Sequence, residues 1–132
     1  MNLRIDKVEF GLERMVRLAL TGKLDTTTAP EFEKQLQEIF SQPVGFLLLD
    51  LGNLSYISSA GVRSILFAHQ EMAKRKGEVL LTNLQPQIHQ VMDIVGVLPS
   101  LTVLGTEKEA DEYLSKIQQD ALKQKNTNPL GL

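Results

Sequence analysis

Cysteine is absent from all 132 residues, which excludes disulfides, thiolate zinc sites and cysteine nucleophiles outright. Only two histidines occur, His69 and His89, and they form no HExxH-like pair, so no metal centre is expected. The longest apolar run, Phe46 to Leu49, is far too short to cross a bilayer, and the opening MNLRIDKVEF interleaves charges with its apolar residues, unlike a signal peptide. A cytoplasmic protein without membrane insertion is the expectation. No GxGxxG or GxxxxGK[ST] loop is present, which removes the sequence basis for dinucleotide or Walker-type phosphate binding. Basic residues are few and dispersed: 14 Lys and Arg stand against 16 Asp and Glu, so nothing points to nucleic acid.

What is there reads as one ordinary globular domain, with 42% hydrophobic and 23% charged residues and a formal net charge of −2. Two strands are predicted at about Leu3 to Phe10 and Met15 to Thr21, joined as an antiparallel hairpin by Gly11-Leu12-Glu13-Arg14. In the second, Val16, Leu18 and Leu20 alternate with Arg17 and Ala19, the period of a strand with one buried face. Thr28-Ala29-Pro30-Glu31 has the form of a capping box, and Phe32, Leu36, Ile39 and Phe40 follow at helical spacing, which predicts a helix over 29–40.

From Phe46 strands alternate with helices. Phe46 to Leu51 is apolar on both faces, as a central strand would be. Val62, Ile65, Leu66, His69, Met72 and Ala73 then form one helical stripe, ending at Lys74-Arg75-Lys76 before Gly77. A strand is predicted at Glu78 to Thr82, a third helix through Ile88, Val91, Met92 and Val95 to Gly96, and a short strand at Leu101 to Leu104. Thr106 and Glu109 make a second capping box ahead of Ala110, Tyr113, Leu114 and Ile117. Three strand-helix units with short connections imply parallel strands and right-handed crossovers. The fold class is therefore α/β: a mixed sheet opened by a hairpin and flanked by about four helices. Residues 120–132, DALKQKNTNPLGL, lose the period and read as a flexible tail after a domain of residues 1–119.

Chemistry has one favoured place. Function in open α/β sheets gathers beyond the carboxyl ends of the strands, and SYISSAGVR, residues 55–63, follows the most central-looking strand. Serine at a helix start caps a free N–H, and one residue suffices for that, yet Ser58 and Ser59 are adjacent. A phosphate on one of them would meet the positive end of the helix dipole, with the Arg63 guanidinium about one turn on. No GxSxG elbow surrounds either serine, His69 sits on its helix's apolar stripe, and His89 reads as a solvated surface residue, so a serine hydrolase lacks its base. The protein is not expected to be an enzyme.

Three segments in order carry a family resemblance: Thr21-Gly22-Lys23-Leu24-Asp25, the run LLLDLGNLSYISSAG at 47–61, and GEVLLTNLQPQIHQVMDIVGV. Together they resemble a STAS domain of the anti-sigma factor antagonist type over about residues 3–117. The resemblance implies a corner of the form Asp-Ser-[Ser/Thr]-Gly whose first serine is phosphorylated by a partner that is both kinase and anti-sigma factor. With glycine matched to Gly61, the phosphoacceptor is Ser59, the acid is replaced by Ser58, and the second hydroxyl by Ala60. Asp25 matches an acid that the family places near this corner; an Asx-type turn before Thr26-Thr27-Thr28 accounts for it equally.

The resemblance further implies an antagonist that binds a GHKL-type anti-sigma serine kinase when unphosphorylated and releases a sigma factor. Phosphorylation at Ser59 switches it off and a PP2C-type phosphatase resets it. It needs no cofactor of its own. Asp25, Ser58, Gly61, Arg63 and Phe67 are the expected partner-binding residues; Phe67 either lies on the outer side of the second helix with Arg63 or packs on a second buried face. The rival is a STAS scaffold subunit of a transporter or larger signalling assembly that is never phosphorylated.

Overall fold

The computed structural model describes residues 3–10, 15–106, 108–109, 111–116 and 119. The expected turn 11–14, the positions Ala110 and Ile117, and the tail from 120 lie outside the described residues. The elements, in chain order, are strands and helices β1 (Leu3–Phe10), β2 (Met15–Leu24), α1 (Ala29–Phe40), β3 (Phe46–Ile57), α2 (Ser59–Lys74), β4 (Glu78–Thr82) and α3 (Pro86–Val95). A 3-10 turn at Leu98–Ser100, β5 (Thr102–Leu104) and a fourth helical segment α4 (111–116) complete them.

The five strands lie in the order β1-β2-β3-β4-β5, with β1 antiparallel to β2 and every later pair parallel. Sequential parallel strands joined by right-handed crossovers all step the same way, which forces the connecting helices onto one face. The packing follows from that. Leu18, Leu20, Leu47, Leu49, Leu51, Val79 and Leu81 point into the main core with Phe32 and Leu36 of α1, Ile65 and Met72 of α2 and Ile88 and Met92 of α3. The alternate residues Met15, Leu48 and Leu80 face the other way and are met by Leu114 and Tyr113 of α4. Both faces of β3 are thus covered, which explains its unbroken apolar run.

Several expectations change. β3 runs six residues past Leu51, because its register with β2 shifts between Ala19 and Thr21 and again between Gly22 and Lys23. Each shift gives β3 one extra residue, so its buried positions move from Leu49 and Leu51 to Leu54 and Ile57 and the alternation is lost. β2 likewise extends to Leu24. Thr28 heads α1 without a side-chain cap; its hydroxyl instead accepts from the Asp25 N–H at 2.9 Å and donates to the Lys23 carbonyl at 2.9 Å. Half of the second box forms, Thr106 Oγ1 accepting from the Glu109 N–H at 3.2 Å, while the Glu109 carboxylate reaches one residue further back and accepts from the Gly105 N–H at 2.8 Å.

On α2 the buried stripe is Val62, Ile65, Ala68 and Met72, with Ala73 exposed and His69 half-buried; His89 on α3 is exposed. Arg17, expected on an open face, is largely covered and ion-pairs with Asp50 across the β2–β3 pair.

Candidate functional site

The two bulges in β3 bring its end level with the end of β2. Leu24 pairs with Ile57, and the Ser58 N–H donates to the Leu24 carbonyl at 2.9 Å. Only Ser58 then separates strand from helix, so the corner is a single extended residue (φ −99°, ψ 175°) rather than a loop. A chain turning this tightly brings the first turn of α2 against the backbone of β2. Gly61 marks that approach: a Cβ there would lie 2.6 Å from the Leu24 carbonyl oxygen and 2.8 Å from Ile57 Cγ1. Glycine is required by space, not by an unusual φ.

Ser58 is the N-cap, its hydroxyl accepting from the Gly61 N–H at a long 3.4 Å, and its carbonyl takes the Val62 N–H at 3.0 Å. Ser59 is the first helical residue and its side chain is exposed. The first N–H groups of a helix have no partner within it and carry its positive dipole end, and here the first turn contains no acidic residue. Arg63 is exposed one turn later on the same helix. A hydroxyl at this position is open to a transfer enzyme, and an anion on it would sit in a favourable field.

Asp25 follows Leu24 directly and so borders the corner, but its carboxylate is turned into its own loop. Oδ1 accepts from the Thr27 N–H at 2.9 Å, the Thr27 hydroxyl at 2.7 Å and the Thr28 N–H at 3.1 Å, with the Thr28 hydroxyl oxygen 3.2 Å away. The Thr27 hydroxyl chiefly, with the Thr28 and Thr27 N–H groups, holds this carboxyl below its ordinary value against an opposing desolvation effect. The Asx-type turn is therefore present, and it fixes a negative charge beside the corner.

Phe67, one turn after Arg63 on α2, is half-buried rather than exposed: its ring packs edge-on against Phe40 of α1, with centroids 6.1 Å apart at 69°. The physical cause is the α1–α2 seam, which Ser64 also closes by donating to Glu33 Oε1 at 2.8 Å.

The bulged end of β3 adds residues that spacing alone left unassigned. Tyr56 is 50% exposed and pairs in register with exposed Lys23, so an aromatic ring and an ammonium border the corner. Ser55 beside them donates to the Gly22 carbonyl at 3.0 Å. The signal was the run LSYIS itself, hidden because a strand with two bulges has no period of two.

Among the described residues no group of three or more His, Cys, Asp or Glu side chains could hold a metal ion, and no helix is long and apolar enough to cross a membrane.

Comparison with known proteins matches this geometry to one family. The family model for the STAS domain matches residues 11–110. The chain is 31% identical over 110 residues to the putative anti-sigma factor antagonist BtrV of Bordetella bronchiseptica, covering 83% of this chain and 91% of that one. It is 27% identical over 111 residues to the anti-sigma F factor antagonist of Paenibacillus polymyxa, covering 83% and 93%. Among solved structures it resembles the Bacillus cell fate determinant SpoIIAA, at 22% identity in both cases. The TM-score is 0.68 for the unphosphorylated form, covering 85% of this chain and 98% of that one, and 0.66 for the phosphorylated form, covering 83% and 99%. The mixed sheet with its opening hairpin, the helices that cover it and the matched residues together establish that this chain belongs to the STAS domain family.

Proposed function

We propose that this STAS domain is a cytoplasmic anti-sigma factor antagonist, a binding protein with no catalysis of its own, switched by phosphorylation of Ser59. The observation that carries the reading is the exposed Ser59 hydroxyl at the start of α2, with no acid in that first turn and exposed Arg63 one turn on. The names of the two relatives and the existence of SpoIIAA in both phosphorylation states support it. Unphosphorylated, the corner docks on an anti-sigma factor of the GHKL serine kinase type and a sigma factor is released. The contact surface is Ser58 and Ser59, the Asp25 turn with Lys23, Tyr56, the Arg63 flank of α2 and the open edge of Phe67. Gly61 serves it by setting how closely α2 approaches β2.

The kinase brings ATP and magnesium, and the chain brings the hydroxyl. Phosphate adds about −1.5 to −2 charge at the centre of that surface, and the partner is repelled. The positive helix end and Arg63 hold the phosphate until a PP2C-type phosphatase removes it. Ser58 in place of an acid removes the carboxylate adjacent in sequence to that phosphate and leaves Asp25 as the negative charge bordering the corner, so the modified state is less strained electrostatically than with an aspartate at position 58.

The test is phosphotransfer from the GHKL kinases of the same genome to wild type and Ser59→Ala, read by intact mass. One phosphate on wild type and none on the variant is expected. No transfer to wild type, or equal transfer to both, overturns the switch and leaves the unmodified scaffold subunit of a transporter or signalling assembly as the surviving reading.

A further inference from the structure

Among the described residues the sheet ends in two edge strands, and they differ. β5 is three residues long, Thr102–Leu104, whereas β1 offers eight, Leu3–Phe10, with no proline among them. Along β1, Arg4, Asp6, Lys7, Val8 and Glu9 are all exposed, and Val8, an aliphatic side chain, is 49% exposed. An unpaired edge of this length is a template for another strand unless its side chains forbid it. We propose that β1 pairs antiparallel with β1 of a second copy of this chain, about a two-fold axis through Val8.

Symmetry, charge and exposure together select that register. A two-fold axis normal to the sheet keeps each face on its own side, so it must pass through a residue and not between two. An axis through Asp6 sets Asp6 against its own copy, and one through Lys7 does the same with Lys7; like charges directly opposite are destabilising. An axis through Ile5 pairs Arg4 with the second copy's Asp6, but it sets buried Leu3 against the charged Lys7 and brings the core-packed Ile5, not an exposed side chain, to the axis. Through Val8, Lys7 faces the second copy's Glu9, Glu9 faces its Lys7, Asp6 faces its Phe10, and the two half-exposed valines meet at the axis. The Lys7–Glu9 ion pair within one strand is loose, at 3.7 Å, so it exchanges readily for the cross-strand pairs. Val8 pairs with Arg17, far along β2 from Leu24 and the Ser59 corner, so the contact leaves both corners open.

The chain's lack of cysteine supplies the test. Directly opposite residues of an antiparallel pair have Cα atoms about 4.5–5.5 Å apart, within the roughly 4.4–6.8 Å that a disulfide spans. Val8→Cys is expected to form a disulfide-linked dimer under mild oxidation about tenfold faster than Asp6→Cys, which is also exposed but off the axis. Without oxidant, sedimentation equilibrium is expected to show a wild-type dimer, about a tenfold weaker dimer for Lys7→Glu, and recovery in Lys7→Glu/Glu9→Lys. Melting curves check that each variant folds; if Lys7→Glu does not, Val8→Lys replaces it as the disrupting change. A monomeric wild type up to about 0.5 mM, equal cross-linking at both positions, or a dimer indifferent to Lys7→Glu overturns the proposal. None of these readouts involves a kinase, so the dimer and the Ser59 switch stand or fall separately.

Discussion

Replacing Gly61 with alanine tests whether the corner is as tight as its geometry implies. The added methyl carbon falls 2.6 Å from the Leu24 carbonyl oxygen, 2.8 Å from Ile57 Cγ1 and 2.9 Å from Leu24 Cγ. The first of these is backbone and already holds the Ser58 N–H at 2.9 Å, so it cannot retreat without breaking the hydrogen bond that joins β2 to the corner. Overpacking against a well-packed site costs about 1–3 kcal/mol, and the fixed oxygen argues for the upper end, about 3 kcal/mol. Alanine recovers about 1 kcal/mol as the better helix former. The net loss of about 2 kcal/mol corresponds to a melting temperature lower by about 8 °C in a domain of this size. Urea denaturation followed by circular dichroism measures it, with Gly96→Ala as a comparison of different origin. Nothing lies within 4 Å of a Cβ at Gly96, and any cost there comes from its φ of +84° alone. A Gly61→Ala protein as stable as wild type would refute the close approach of α2 to β2.

Two further outcomes follow. Tyr113 donates its hydroxyl to Glu78 Oε1 at 2.6 Å, and that hydrogen bond, with burial and the carboxylate charge, pushes its pKa up from 10.0 to about 12. The folded state keeps its proton longer than the unfolded chain, so the stabilisation is complete below pH 10.0 and is lost as pH rises toward 12. Tyrosinate absorbance should show a late-titrating component that Tyr113→Phe removes. Ser58→Ala should cost only about 0.5 kcal/mol, the low end for an N-cap, because its hydrogen bond to the Gly61 N–H is 3.4 Å long. A loss above about 1.5 kcal/mol in the same urea assay would mean that the hydroxyl does more than cap.

Order and type of the elements were legible because their periods were clean: Phe32, Leu36 and Ile39 on one helix, Val16, Leu18 and Leu20 on one strand. What escaped is what period cannot encode. The extra residues of β3 break its alternation, so a twelve-residue strand reads as a six-residue one followed by a loop. The Arg17–Asp50 pair joins residues 33 apart, and Arg17 looks solvent-facing in its own strand because α4, which closes that side of the sheet, comes from the far end of the sequence. Thr28 resembles a cap in sequence, yet the Asp25 turn claims its hydroxyl first. Phe67 fits either face of α2 by spacing, and only the neighbouring Phe40 decides it.

The same bulges give the corner its shape. An unbulged β3 would reach the level of Leu24 two residues earlier, at Ser55, which would leave Tyr56 to Ser58 as a slack connection. Taking up those residues within the strand pins Ser58 to Leu24 by a backbone hydrogen bond, starts α2 at once and fixes the direction in which Ser59 faces solvent. The switch proposed at Ser59 needs an exposed oxygen held at a set place, since a partner that distinguishes one phosphate must meet it there. Two inserted residues in a central strand, and one glycine that lets a helix touch that strand's neighbour, supply that placement for the proposed switch.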